Sequence, residues 1–335
     1  MKKLNTILLL LGCVLLAVLL RTIGVRELWR ELSSLGWGLV PFIAIEGIAE
    51  MIHTLGWRHC LSGTSRSSSW FRLFRIRMAG YAINYLTPTA ALGGEVTKTT
   101  LLASTGSVPE AASGVIIGKV CFGLAHVIFV ALGAVVVVQK VRLAPAVWIS
   151  LLCSAALVAC GIVAFLLLQK YGKLGSLIRW LASRHIGGPA LAKAASAFTS
   201  VDEQLRAFYR ERPRDLLPAI AWHLAGYSTG IVQVWLFLQV LQPPASFSVA
   251  AAIWLIGMWF DLLTFAVPMN IGSLEGTRVL SFGLLGYGSP VGMAYGIALR
   301  LAQIFWAAVG LVFYALLNGG KKSVVPQALK PHPIP

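Results

Sequence analysis

Residues 78–103 read MAGYAINYLTPTAALGGEVTKTTLLA. Two apolar pieces, 78–88 and 90–103, meet at Thr87-Pro88-Thr89. Each is too short to cross a membrane alone, because a spanning helix takes about 20 largely apolar residues. A helix that stops at a proline and restarts at depth is tolerated only inside protein or beside a watery cavity. The stretch also has a second copy. Pro88-Thr-Ala-Ala-Leu-Gly-Gly-Glu95 is matched by Pro268-Met-Asn-Ile-Gly-Ser-Leu-Glu275, with the glutamate seven residues after the proline in both. A cation follows deep in the next apolar run: Lys119 lies 24 residues beyond Glu95, and Arg300 lies 25 beyond Glu275. Lys98 and Arg278 each follow their glutamate by three residues, and tight turns at Ser107-Val108-Pro109 and Ser289-Pro290 precede the next helices.

The rest of the chain fits a membrane setting. Of its 335 residues 57% are hydrophobic and only 12% charged, and the mean hydropathy is +0.78. A soluble fold carries about a quarter charged residues, so a soluble enzyme, a disordered chain and a nucleic-acid-binding domain are excluded as leading readings. The apolar runs predict an all-α polytopic membrane protein with about seven spans, near 4–23, 36–57, 111–139, 146–169, 215–241, 248–268 and 291–317. Lys2 and Lys3 before the run Leu4–Leu20 resemble a signal peptide, and Leu10-Leu11-Gly12-Cys13 a lipobox. Apolar sequence continues past Cys13 with no small-residue cleavage site, so a first transmembrane helix is expected instead. Five cysteines, Cys13, Cys60, Cys121, Cys153 and Cys160, form no CxxC, and packing is their expected role.

The formal charge of +16, from 28 Lys+Arg against 12 Asp+Glu, reads as orientation and anionic-lipid attraction rather than DNA binding. Arg58–Arg77 holds five arginines and no acid, and Lys170–Arg214 holds nine basic residues against three acids. With Lys2, Lys3, Lys321, Lys322 and Lys330 these segments are expected inside, so both termini are cytoplasmic at a bacterial inner membrane. Intervals 242–247 and 286–290 carry no basic residue and are expected outside, while 21–35 and Lys140–Arg142 are mild exceptions there. Consistent bookkeeping makes 78–108 a re-entrant hairpin that enters and leaves on one face. The first hairpin follows arginines inside, and the second follows uncharged Pro243–Ser248 outside. That contrast is the signature of inverted-topology repeats holding broken helices at mid-depth. The expected organisation is one transmembrane domain over 1–320, with repeats near 36–139 and 215–317, a basic amphipathic cytoplasmic connector at 170–214 and a disordered tail at 321–335.

Ionisable groups at membrane depth are functional by default. Glu46, Glu50 and His53 stand at i, i+4 and i+7, hence on one helix face. That face either glues helices together or lines a cavity that meets a cationic headgroup or carries protons. Glu95 and Glu275 open the second half of each broken helix, where Gly93, Gly94 and Gly272 allow close backbone approach and helix N-termini favour anions. These glutamates either cap the helix and pair with Lys119 or Arg300, or open and close those pairs as the repeats rock. Lys98 and Arg278 suit phosphate contacts or salt bridges along the helix. Asn84 and Asn270 can bond backbone freed at Pro88 and Pro268. Asp261 has Tyr81 as its counterpart and is not symmetric. Trp70–Arg75 and Leu177–Leu191 look like amphipathic surface helices that attract anionic lipid. His59, His126, His185 and His223 are scattered and suggest no metal, and the sequence carries no Walker loop, GxSxG, HExxH or HxxxxD.

On Gly80–Asn84, Pro88 through Gly93-Gly94-Glu95, Pro268 through Gly272 and Glu275-Gly276, and Arg300, the chain resembles the transmembrane region of lysylphosphatidylglycerol synthases, the flippase-like integral membrane family. The resemblance runs over about residues 5–320. It implies movement of a polar lipid between leaflets; without a catalytic or nucleotide-binding motif, neither an enzyme nor a cofactor is expected. Candidate lipids are anionic or aminoacylated phospholipids, with hopanoid or polyprenyl lipids as alternatives, and a lipid-modifying enzyme is an expected partner. The sequence shows no soluble aminoacyl-transfer domain, so synthesis of lysyl-lipid is not expected and the substrate stays open. The expected function is a translocase with a polar groove between repeats, where Lys98, Lys119, Arg278 and Arg300 hold phosphate and the glutamates meet cationic groups or gate. A membrane enzyme acting on a polyprenyl-linked or hopanoid lipid, and a non-transporting accessory subunit, remain as rivals.

Overall fold

The computed structural model describes residues 18, 21, 25–86, 92–140, 145–171, 173–184, 198–241, 245–264, 267 and 270–318. Among them every regular element is helical and no strand occurs. The helices are α1 (Val25–Leu35), α2 (Leu39–His59), α3 (Trp70–Leu86), α4 (Leu92–Leu102), α5 (Val108–Lys140), α6 (Pro145–Lys170), α7 (Leu174–Ser183), α8 (Phe198–Glu211), α9 (Leu216–Leu241), α10 (Phe247–Thr264), α11 (Ser273–Gly283) and α12 (Ser289–Asn318). A single turn at Gly63–Ser67 links α2 to α3.

Trp29–His59, Val108–Ala134, Pro213–Leu241, Phe247–Thr264 and Ser289–Asn318 are long and apolar enough to cross a membrane, and the chain is a multi-pass membrane protein. They account for five of the seven expected spans. The expected span 146–169 falls on α6, in which Ala159–Lys170 is a shorter apolar helix. The expected span 4–23 lies outside the described residues apart from Val18 and Arg21, and so do Pro88, Pro268 and the tail 321–335.

Contacts along the helices fix their directions. Gly38, at the head of α2, lies against Val240 near the end of α9, and Gly56, near the end of α2, lies against Ala219 near the start of α9. These two helices therefore run antiparallel. So do α3 and α12, where Phe71 meets Phe313, Met78 meets Gly310 and Tyr85 meets Arg300. So do α5 and α10, where His126 Nε2 donates to the Met258 carbonyl at 3.1 Å and Gly133 lies against Leu255. The end of α3 thus stops beside Arg300, midway along α12.

The short helices fold back on their predecessors. Asn84 Oδ1 accepts from the Gly94 N–H at 2.6 Å, and Arg72 Nη2 donates to Ser104 Oγ at 3.0 Å. The chain that goes in along α3 returns along α4 to the level of Arg72. In the second half α11 returns along α10, with Arg278 against Asp261 and Ser281 against Gly257. Most of the packing scheme is kept when α2 is exchanged with α9, α3 with α10, α4 with α11 and α5 with α12, the contact of α2 with α5 being the exception. Thus α3 packs on α12 as α10 packs on α5, α4 on α5 as α11 on α12, and α2 on α12 as α9 on α5.

One expectation changes here. Trp70–Arg75 is not a separate surface helix but the first turns of α3. Leu73 and Phe74 are buried, and Phe74 meets the rings of Trp306 and Phe313. The Arg75 guanidinium lies 5.7 Å from the Phe313 ring. The apolar residues of this segment find α12, so the arginines mark the rim of the bundle. Of Leu177–Leu191, α7 covers the part up to Ser183, and residues 185–191 lie outside the described residues.

Helices in lipid gain little from the hydrophobic effect between themselves, so close contact depends on small residues. A Cβ at Gly47, Gly118 or Gly230 would enter the rings of Trp306, Trp57 or Trp254. At Gly310 it would strike the Met78 carbonyl, which is main chain and cannot turn aside. Gly310→Leu is therefore expected to lower stability by about 1–3 kcal/mol, read as a lower unfolding midpoint in detergent. Gly161→Leu serves as the control, since among the described residues nothing stands within 4 Å of a Cβ there, and its midpoint should not fall.

Candidate functional site

The first centre grows from a glycine contact. A Cβ on Gly94 would meet the Gly80 carbonyl and Asn84, and one on Gly80 would meet Lys98 and the Gly94 carbonyl. With hydrogen at both positions, the first turn of α4 lies directly on α3. Asn84 then satisfies one of the N–H groups that a helix start leaves without an intrahelical acceptor. This docking aims Glu95 and Lys98 inward, where they pair with each other, and Lys119 Nζ of α5 stands 3.4 Å from Glu95. From α2, Glu50 accepts from Arg77 Nε at 2.7 Å. The Lys98 ammonium lies 5.7 Å from the Trp57 ring, a favourable cation–π distance. Together these groups line a cavity of about 210 Å³, with Tyr81, Gly118 and Phe122 completing the wall. Arg77, Lys98 and Lys119 face Glu50 and Glu95 there, so one cation is in surplus.

The second centre is built differently. The backbone turns into α11 through Asn270 at φ +49° and Gly272 at φ +74°. Glu275 is fully buried and accepts from the Gly272 N–H at 3.0 Å, which caps its own helix. Arg300 of α12 pairs with the same carboxylate, Nη2 reaching Oε2 at 3.1 Å. Its Nη2 also donates to the Asn270 carbonyl at 2.8 Å, and Nη1 to the Tyr85 hydroxyl at 3.4 Å. One guanidinium thus fastens the head of α11 to α12 and to the end of α3. Arg278 is 2% exposed and donates to Asp261 of α10 at 2.7 Å, with Trp254 5.5 Å beneath it. These side chains border a cavity of about 320 Å³ that Glu46, Glu50, His53, Phe122, His126 and Asn270 also line. Glu50 is already held by Arg77 and Asp261 by Arg278, while Glu46 bonds to the neutral amide of Gln233. The second cavity therefore carries acid in surplus.

Glu50 and Phe122 line both spaces. The cavities meet across these two side chains, at the contact of α2, α3 and α5.

Of the residues expected from sequence, Glu50, Asn84, Glu95, Lys98 and Lys119 converge on the first cavity, and Glu46, Glu50, His53, Asp261, Asn270 and Arg278 on the second. Glu275 and Arg300 are joined to each other as the spacing suggests. Gly93 and Gly94 open α4 and Gly272 opens α11. Three details differ. Lys98 pairs along its helix, but Arg278 does not pair with Glu275, because Arg300 and the helix cap already occupy that carboxylate. Asn270 acts through its main-chain carbonyl. His126 and His223 are not scattered: they converge with His53 on Tyr227 or Phe122. Arg77 was legible only as one positive charge in a cytoplasmic cluster, yet it is the partner of Glu50. The only signal for it in the sequence is its place one turn before the Gly80–Asn84 segment.

Separating Glu50 from Arg77 leaves a charge in a poorly solvated wall, both side chains being little exposed. Glu50→Gln and Arg77→Met are each expected to cost about 3 kcal/mol. The double variant should cost less than the sum of the two, as a double-mutant cycle of unfolding midpoints will read.

The family model described as Lysylphosphatidylglycerol synthase TM region matches residues 5–310, and the chain belongs to that family. No curated protein matches it, and no solved structure does.

Proposed function

We propose that this member of the lysylphosphatidylglycerol synthase transmembrane-region family carries a phospholipid or related polar lipid between the two leaflets of the inner membrane. It moves the lipid rather than modifying it. The observation that carries this reading is the pair of charge-lined cavities that meet at Glu50 and Phe122.

The physical problem is the headgroup. A charge at the bilayer centre is costly, by about 2.5–3.5 kcal/mol or more, so it crosses where ions already stand ready to receive it. In the first cavity a phosphate displaces the Glu95 carboxylate from Lys98 and Lys119 and exchanges one anion for another. In the second cavity the surplus acid accepts a hydrogen-bond donor or a cationic part of the headgroup. Glu50 and Arg77 stand between the two, and their ion pair closes the passage when no headgroup is present. Acyl chains stay in lipid beside the helices.

Alternating access follows from the repeats. We read 36–139 and 215–317 as inverted copies, a reading supported by the exchangeable packing scheme and by the antiparallel course of the corresponding helices α2 and α9. Hairpin α3–α4 then dips from the face that bears the arginines, and α10–α11 from the opposite one. Rocking of one copy on the other opens each cavity in turn.

Purified protein in liposomes containing a labelled anionic phospholipid is expected to move label between leaflets. Glu95→Ala combined with Glu275→Ala should return the rate to that of protein-free vesicles. Lys119→Gln, at a half-exposed side chain that can change without unfolding, should slow movement about 10-fold, the value of one charge-assisted phosphate contact. Unchanged rates in these variants would defeat the site assignment. A wild-type protein that leaves the label in place but alters its chemistry would make the chain an enzyme.

A further inference from the structure

One fully buried polar contact joins two imidazoles. His53 of α2 and His223 of α9 are 4% and 0% exposed, with Nδ1 atoms 3.0 Å apart. They sit on matching sequences, His53-Thr-Leu-Gly56 and His223-Leu-Ala-Gly226. Each ring lies on the glycine of the other helix, His53 against Gly226 and His223 against Gly56. The pair therefore sits where the two corresponding helices cross.

Two Nδ1 atoms at that distance require one proton between them. In the neutral pair one ring donates Nδ1–H, and its own Nε2 is bare. The other ring accepts at Nδ1 and carries its hydrogen on Nε2. The pair can accept one more proton, on the bare Nε2, and keep the Nδ1–H···Nδ1 bond, which becomes charge-assisted. His223 Nε2 is buried with no hydrogen-bond partner among the described residues, whichever ring donates. His53 borders the second cavity, which gives water a route to the pair.

Burial first, and then the charged surroundings, decide whether such a proton stays. From α3, Arg77 lies 5.6 Å from one side of the Phe122 ring, and the two imidazoles lie 5.0 Å and 5.4 Å from that same ring. Lys98 of α4 also acts on His223, and His126 of α5 acts on His53. Tyr227 of α9 is neutral and touches His53 by its ring, while Glu50, on the same helix as His53, is held by Arg77. Burial and these cations thus both oppose a positive charge on the pair. An anion bound in the first cavity, beside Lys98 and near Arg77, weakens the part that the cations contribute.

We infer that His53 and His223 form a one-proton site whose protonation accompanies the arrival of an anionic headgroup in the first cavity, so that lipid movement is proton-coupled. The inference takes from the carrier reading only that an anion binds in the first cavity, which Arg77, Lys98 and Lys119 line. The coupling is reciprocal: an anion that favours the proton is itself favoured by it.

The test is proton uptake by the whole detergent-solubilised chain in weakly buffered solution between pH 5 and 8, followed with an indicator dye. The titrant is dihexanoylphosphatidylglycerol, whose phosphodiester does not titrate in that range. About one proton taken up per lipid bound is expected in part of this range, with none in His53→Gln or His223→Gln. Independently of those variants, imidazole ¹⁵N signals of the wild-type protein should show one histidine pair becoming protonated when the lipid is added. A wild type that gives no lipid-dependent proton uptake and no such signal overturns the inference, even if it moves lipid in vesicles. Uptake in a protein that fails to move lipid would keep the proton site and remove the carrier.

Discussion

A carboxylate buried among membrane helices is stabilised by a cation and by donors that belong to the same fold. Among the described residues four carboxylates are matched in this way, and Glu46 is held by the neutral amide of Gln233. Glu95 is met by Lys98 and Lys119, Glu275 by Arg300 and its own helix start, Glu50 by Arg77, and Asp261 by Arg278. These pairs also decide how the helices lie. Arg300 can reach Glu275, the Asn270 carbonyl and Tyr85 together only if α11, α12 and the end of α3 converge at one depth. The short helices α4 and α11 are held at their heads by side chains of other helices, where lipid could offer their backbone nothing.

The two halves meet the same demand with different chemistry. On the first side the match is made by lysines, one of them half-exposed, beside a cavity with a surplus cation. On the second it is made by Arg300, a partly buried arginine tied to Glu275, the Asn270 carbonyl and Tyr85, and the neighbouring cavity keeps surplus acid. The asymmetry at Asp261, which faces Tyr81 in the alignment of the copies, is part of this difference: Asp261 takes Arg278 away from Glu275 and leaves that carboxylate to Arg300. One cavity is thus lined mainly by cations and the other mainly by acids.

Much of this was legible in the sequence, and the reasons can be given residue by residue. Offsets between Pro88, Glu95 and Lys119, and between Pro268, Glu275 and Arg300, are set by local geometry: a helix start, a turn and the return of the next helix. They therefore survive as spacing, and both glutamates pair as the spacing suggests. The face formed by Glu46, Glu50 and His53 was visible for the same reason. Partners set by helix crossing were not visible. Nothing along the chain ties Arg77 to Glu50 or Arg278 to Asp261, and the matching sequences at His53 and His223 mark corresponding places without saying that the rings touch, since each pair depends on which helices pack together. Trp70–Arg75 misled because an amphipathic pattern with arginines fits both a surface helix and the rim of a bundle, and only the contact of Phe74 with Trp306 and Phe313 decides between them.

The central claim is that the two hairpins enter the membrane from opposite faces. Its most direct measurement is the sidedness of two corresponding turns, Ser107 before α5 and Ser289 before α12, both exposed. In a cysteine-free background, Ser107→Cys and Ser289→Cys would each be treated with a membrane-impermeant thiol reagent in sealed, right-side-out vesicles, before and after permeabilisation. The expected result is labelling of Ser289→Cys from outside and of Ser107→Cys only after permeabilisation. Labelling of both from one side would contradict the inverted arrangement and, with it, the passage between the two cavities.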